Sequence, residues 1–187
     1  AKAYIIDQNQ KIKLLTTTTN KLYDIGSMQN NWTENGSIVF SDNTLDFGQS
    51  AKLVSEQVYV FNGAWEFNFE FYIPASNTSE YIELVTNIST GWTNGGFQIT
   101  VGSATAADSA LRNKLFIGSY GVGGVIASTT IARDTWYKVR ITRTPAWVYT
   151  IYLNDAQVAS GTAIRTPDNQ AIRIGSSLCK IRNFISK

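Results

Sequence analysis

The chain has 187 residues, 43% of them hydrophobic and 12% aromatic, which is one domain's worth with enough apolar side chains to bury a core. It has no histidine and one cysteine, so zinc sites, Ser-His-Asp triads, Cys-His pairs and internal disulfides are excluded, and chemistry is left to carboxylates, Lys, Tyr, Ser and Thr. Sixteen scattered basic residues against fourteen acidic ones give a net charge of +2, which is no footprint for a nucleic acid.

The N-terminal stretch "AKAYIIDQNQKIK" has no apolar core or cleavage pattern of a signal peptide, and no later run approaches the roughly 20 apolar residues that cross a bilayer. A soluble chain without membrane insertion is expected. Strands are expected at Ala3–Ile6 and Ile12–Thr16, and the run of four threonines from Thr16 to Thr19 favours extended backbone through β-branching. Residues 1–30 therefore read as an extended arm or edge strands, and residues 31–187 as the main domain. Trp32, in "NNWTENG", is expected either to seal that arm onto the domain or to contact a partner. Through the arm, the chain is open to homo-oligomers or a larger assembly.

From there period-2 alternation recurs every 8–15 residues, and no helical periodicity lasts beyond about two turns. Strands are expected at Ser37–Phe40, Ala51–Leu53, Gln57–Phe61, Trp65–Ile73, Tyr81–Thr86, Gly96–Val101, Lys114–Ser119, Trp136–Thr142, Trp147–Leu153, Ala171–Gly175 and Lys180–Ser186. Turn-forming residues punctuate them in "SDNT", "TGWTNGG", "SYGVGG", "LNDA" and "TPDNQ". A single helical turn is expected in "AADSALRN", capped by Asp108 or Ser109. The class is all-β, a two-sheet antiparallel sandwich.

Several segments carry a resemblance to a known superfamily: "GSIVFSDNTLDFG", "AWEFNFEFYIP", "RDTWYKVRIT", "YTIYLNDAQVASG", "AIRIGSS" and "KIRNFIS". Their order and spacing resemble the concanavalin A-like lectin/glucanase superfamily, especially its laminin-G-like and pentraxin-like members. The resemblance implies a jelly roll with one concave sheet that binds glycans on its face or rim, in some relatives through calcium and in some with β-glucan hydrolysis. Trp136 matches the superfamily's recurrent Trp and reads as structural. Ala156 stands where relatives carry glycine in a hairpin, so that turn is expected to be longer than, or shaped differently from, a two-residue type I′ turn.

Alternation in "WEFNFEFYIP" points Phe67, Phe69, Phe71 and Ile73 inward and Glu66, Asn68, Glu70 and Tyr72 outward. The polar set resembles the Glu-x-Asp-x-Glu motif of laminarinase-like glycosidases, with Asn68 in place of the Asp. A retaining glycosidase needs carboxyls roughly 5–5.5 Å apart, one with a raised pKa. Neutral Asn68 weakens that reading, leaving the row as a glycan-binding floor or a solvated face. Lys138 and Arg140 form a similar row with Thr142, able to face Glu66 and Glu70 if the strands are neighbours. Trp92 and Tyr120, in glycine-rich loops, are the expected sugar platforms.

No cofactor is expected; calcium is left open by the loop carboxylates Asp108, Asp134, Asp155 and Asp168, which are widely separated in sequence. Asn-x-Ser/Thr triplets begin at Asn31, Asn35, Asn77 and Asn87 and matter only in a eukaryotic secretory context. The expectation is a non-catalytic module binding a surface polysaccharide, extracellular or on a cell or virion surface. The alternative is a structural or display protein, such as a viral decoration or fibre component attached through the arm. A β-glucan hydrolase comes third.

Overall fold

The computed structural model describes residues 12–16, 22–24, 26, 31–41, 43–59, 63–87, 96–118, 125–162 and 170–187. Among these, sixteen strands form two antiparallel sheets packed as a sandwich. The nine-stranded sheet runs β14 (Ala156–Thr162), β13 (Val148–Leu153), β12 (Trp136–Arg143), β7 (Trp65–Tyr72), β16 (Cys179–Ser186), β1 (Ile12–Thr16) and β2 (Leu22–Asp24). Its remaining strands, β4 (Ile38–Ser41) and β5 (Thr44–Phe47), form a hairpin that joins through β5 to β16. The seven-stranded sheet runs β11 (Ile126–Thr130), β10 (Lys114–Gly118), β9 (Gln98–Gly102), β8 (Tyr81–Thr86), β15 (Gln170–Ile174), β6 (Lys52–Tyr59) and β3 (Trp32–Asn35).

The inward halves of the alternating strands fill one core. On β7, Trp65, Phe67, Phe69 and Phe71 are buried while Glu66, Asn68, Glu70 and Tyr72 are half-buried. The rings of Trp65 and Phe67 meet Phe97 from the segment entering β9, at 5.1 and 5.5 Å between centroids, so aromatic contacts tie the two sheets together. Cys179 packs in this core as a small hydrophobe, and burial pushes its thiol up to about 12, which keeps it protonated and inert. Of the first thirty residues, β1 and β2 extend the nine-stranded sheet beyond β16, with Ile12 and Leu14 in the common core. No helix among the described residues is long and apolar enough to cross a membrane.

Where strands depart from expectation, the cause is local. The expected strands Ala51–Leu53 and Gln57–Phe61 meet in one strand, β6, over Lys52–Tyr59, with residues 60 and 61 outside the described residues; a bulge interrupts it, since Ala171 pairs with Val58 but Arg173 pairs with Val54. There Ser55 turns its hydroxyl inward, accepting from the Ile172 amide at 2.9 Å and donating to the Gln57 carbonyl at 2.8 Å. The hydrophobic alternation breaks at that point, so the sequence reads as two pieces. Strands β2, β3, β5, β11 and β14 were not among the strands expected by alternation, although residues 1–30 were open to edge strands and the resemblance implied a hairpin at "YTIYLNDAQVASG". Of these, β14 ("AQVASGT") is mostly exposed and small-residue-rich, and β11 ("IASTT") ends in exposed threonines.

The hairpin joining β13 and β14 overturns the expectation drawn from Ala156. Leu153 pairs with Ala156, and the two residues between, Asn154 and Asp155, lie at φ 50° and 68°. These are the two positive φ angles of a type I′ turn, supplied by the side chains that best tolerate them. The expected helical turn is a 3-10 helix, Ser109–Leu111, capped by Asp108, whose carboxylate accepts from the Ala110 amide at 2.9 Å. The expected strand Ala3–Ile6 and the loops "TGWTNGG" (apart from Gly96), "SYGVGG" and "TPDNQ" (apart from Gln170) lie outside the described residues.

Candidate functional site

The expected polar rows meet on the outer face of the nine-stranded sheet. Strands β7 and β12 are antiparallel neighbours, with Glu70 opposite Lys138, Asn68 opposite Arg140 and Glu66 opposite Thr142. Directly opposed residues share a face, so all six side chains project outward together. The Asn68 amide donates to Glu66 Oε1 at 2.7 Å, and Glu66 is further approached by Lys187 Nζ at 3.4 Å and Arg140 Nη1 at 3.9 Å. Arg140 lies over the Tyr152 ring of β13, 3.5 Å from its centroid. Lys138 bonds Asp155 at 2.8 Å rather than Glu70.

Glu70 is held from the opposite side, by β16. Arg182 donates to its Oε2 through Nε at 3.0 Å and Nη2 at 2.6 Å, and Asn183 Nδ2 donates to Oε1 at 2.7 Å. Partial burial raises the pKa of this carboxyl, but the hydrogen bonds from Arg182 and Asn183, with the charges of Arg182 and Lys138, hold it below the ordinary carboxylate value. A glycosidase's acid requires the reverse environment. The two glutamates thus have separate sets of partners, suited to fixing a surface rather than to sharing one proton-transfer task.

Arg182 and Asn183 were missed from the sequence, and so was the feature beside them. A pocket of about 310 Å³ opens on the same face, lined by Ser41, Thr44, Asp46, Tyr72, Trp136 and Lys180. Its side chains come from β4, β5, β7, β12 and β16, and the register explains why they meet. One cross-strand row reads Trp136, Tyr72, Lys180, Asp46, Val39; the next reads Lys138, Glu70, Arg182, Thr44, Ser41. The lining is therefore a trough drawn from five strands, whose backbones span roughly 19 Å at about 4.8 Å per strand spacing.

The trough is held in place by its own contacts. Arg182 stacks its guanidinium 4.2 Å from the centre of the Trp136 ring, which also meets the Tyr72 ring at 5.6 Å. The Tyr72 hydroxyl donates to Asp134 Oδ1 at 2.9 Å, a bond that raises the phenol's pKa. Lys180 pairs with Asp46 at 2.8 Å. Trp136, expected to be structural, stands half-exposed on this outer face and belongs to the trough. Alternation along β12 carried that signal, since Trp136 shares the parity of Lys138 and Arg140.

Trp92 and Tyr120 lie outside the described residues, although the strand residues that flank their segments, Thr86, Gln98 and Gly118, are adjacent in the seven-stranded sheet. Trp32 lies on β3 at an edge of that sheet and packs partly buried against the core. Trp147 precedes β13 at φ 62°, with the Arg143 guanidinium 3.5 Å from its ring centre. Among the loop carboxylates, Asp108 caps the 3-10 helix, Asp134 accepts from Tyr72 and the Ala75 amide, and Asp155 pairs with Lys138; Asp168 lies outside the described residues. No group of three or more His, Cys, Asp or Glu among the described residues is placed to hold a metal ion. Asn77 and Asn87 are buried, their carbonyl oxygens accepting from the Ser79 and Phe97 amides, whereas Asn31 and Asn35 are exposed.

No protein-family profile matches the chain, and no curated protein does. Solved structures similar in fold include the binding domain of botulinum neurotoxin DC in complex with SialylT, at TM-score 0.68 and 13% identity over 95% of this chain and 47% of that one. Another, from a study of botulinum neurotoxin type C whose cell entry depends on two ganglioside molecules, has TM-score 0.71 and 15% identity over 95% and 47%. The botulinum neurotoxin serotype G binding domain matches at TM-score 0.71 and 13% identity over 96% and 47%. At these identities the likeness is one of fold, and this chain spans about half the length of each.

Proposed function

We propose that the chain is a non-catalytic carbohydrate-binding module of the concanavalin A-like kind, which takes a glycan on the outer face of its nine-stranded sheet. The observation that carries this reading is the trough itself: half-exposed Trp136 and Tyr72 stand beside Asp46, Lys180, Thr44 and Ser41 in one open pocket. An aromatic ring matches the apolar face of a pyranose, while carboxylate, ammonium and hydroxyl groups match its hydroxyls. The contacts fixing Trp136, Tyr72 and Glu70 reduce the ordering cost of binding.

The similar structures support the reading at the level of fold, since one is in complex with SialylT and another concerns a toxin that depends on gangliosides. Their ligands are not transferred, because this chain spans only about half of them. On this reading the chain acts outside a cell or on a cell or virion surface, where polysaccharides are presented. The test is a glycan array probed with the intact chain and with Trp136→Ala. Binding to a subset of glycans, lost in the variant, is expected. Failure to bind any glycan at high protein concentration contradicts the reading, and hydrolysis of a bound oligosaccharide, abolished by Glu70→Gln, contradicts its non-catalytic part.

A further inference from the structure

Resting on the carbohydrate-binding reading, we infer that the trough selects an uncharged, linear oligosaccharide laid across the strands from Trp136 towards Ser41. Two observations give its shape and its charge. The lining residues come from the two adjacent cross-strand rows, so the long axis of the site runs perpendicular to the strands and spans β12, β7, β16, β5 and β4. Lining side chains drawn from strands whose backbones span roughly 19 Å suit an extended chain rather than a single sugar.

The charge follows from the pairing. Lys180 is the pocket's cation and Asp46 its anion, and they bond each other at 2.8 Å, so the lining sums to zero. Next to it, Arg182 is engaged by Glu70 and stacked on Trp136, and Lys138 is engaged by Asp155. A carboxylated sugar entering here either displaces Asp46 from Lys180 or Glu70 from Arg182, or shares the cation and crowds two carboxylates around one positive charge. A neutral sugar needs no such exchange: its hydroxyls donate to Asp46 and accept from Lys180 while the pair stays intact. This site is thereby distinguished from one built for sialylated or uronic-acid glycans.

The experiment is an array carrying neutral linear oligosaccharides of two to six units beside sialylated and uronic-acid glycans. It is probed with the intact chain, Trp136→Ala and Thr44→Tyr, and folding of each variant is checked by its thermal melt. Thr44 is on the outer face, so tyrosine there obstructs mid-trough without entering the core. The expected result is binding to neutral linear chains that strengthens with length and then levels. Either variant weakens it about tenfold or more, and it changes less than about twofold as NaCl rises from about 0.05 to about 0.5 M. Binding confined to acidic glycans overturns this inference and leaves the carbohydrate-binding reading standing. Neutral binding that survives both variants overturns the trough as its site, and no glycan binding overturns both.

Discussion

Two glutamates on opposite sheets carry opposite relations between charge and stability. Glu70, held by Arg182 and Asn183 below the ordinary 4.5, contributes stability that is complete above the unfolded carboxylate range and lost as pH falls through its folded value. Glu83 on β8 is pushed above 4.5 by burial, only partly offset by Arg173 and Lys52, so its ionisation costs stability as pH rises through its folded value. Glu70→Gln is therefore expected to lower stability near neutral pH by about 1 kcal/mol, an effect that fades on acidification. Glu83→Gln is expected to raise it by less than about 1 kcal/mol near neutral pH, again fading in acid. Urea melts across roughly pH 3–7 check both signs. At this scale, parity along each strand made Glu66, Asn68 and Glu70 legible as one row and Lys138 and Arg140 as another, while their sharing a face depended on the two strands being neighbours. Arg182, Asp46 and Lys180 were not legible as their neighbours, because strand order, and not spacing along the chain, brings β16 beside β7 and β5 beside β16.

Turns and bulges decided which elements could be read. Long strands with clean alternation, such as β7 and β12, declared themselves within a residue or two of their ends. Strand β6 did not, because its bulge places Ser55 in the core and breaks the period. The type I′ hairpin at Asn154–Asp155 was obscured by the search for glycine after the turn, whereas the positive φ angles fall on the turn residues themselves. Asp155→Gly is accordingly expected to stay within about 0.5 kcal/mol of the parent, since only an exposed ion pair is lost. Asp155→Val is expected to cost about 1–3 kcal/mol through left-handed strain. A stricter constraint lies between β15 and β16, where Gly175 sits at φ 73° and an added Cβ would come 2.6 Å from the buried Phe47 ring. Gly175→Ala combines strain with overpacking and is expected to cost roughly 2–4 kcal/mol, visible as a large drop in thermal midpoint.

For the whole molecule, two packed antiparallel sheets each leave an outer face, and on that of the nine-stranded sheet five strands assemble a trough that none of them contains alone. The class of fold was legible because alternation and turn chemistry agreed along most of the chain. The trough was not, because it depends on the β4–β5 hairpin docking beside β16. The central claim is that this face, rather than the opposite sheet, meets the glycan. Amide and side-chain NMR shifts recorded while titrating a glycan selected from the array test it most directly. The account predicts that the largest shifts fall on Thr44, Asp46, Tyr72, Trp136 and Lys180. Shifts confined to the seven-stranded sheet or to the loops carrying Trp92 and Tyr120, with these five residues unmoved, would contradict it.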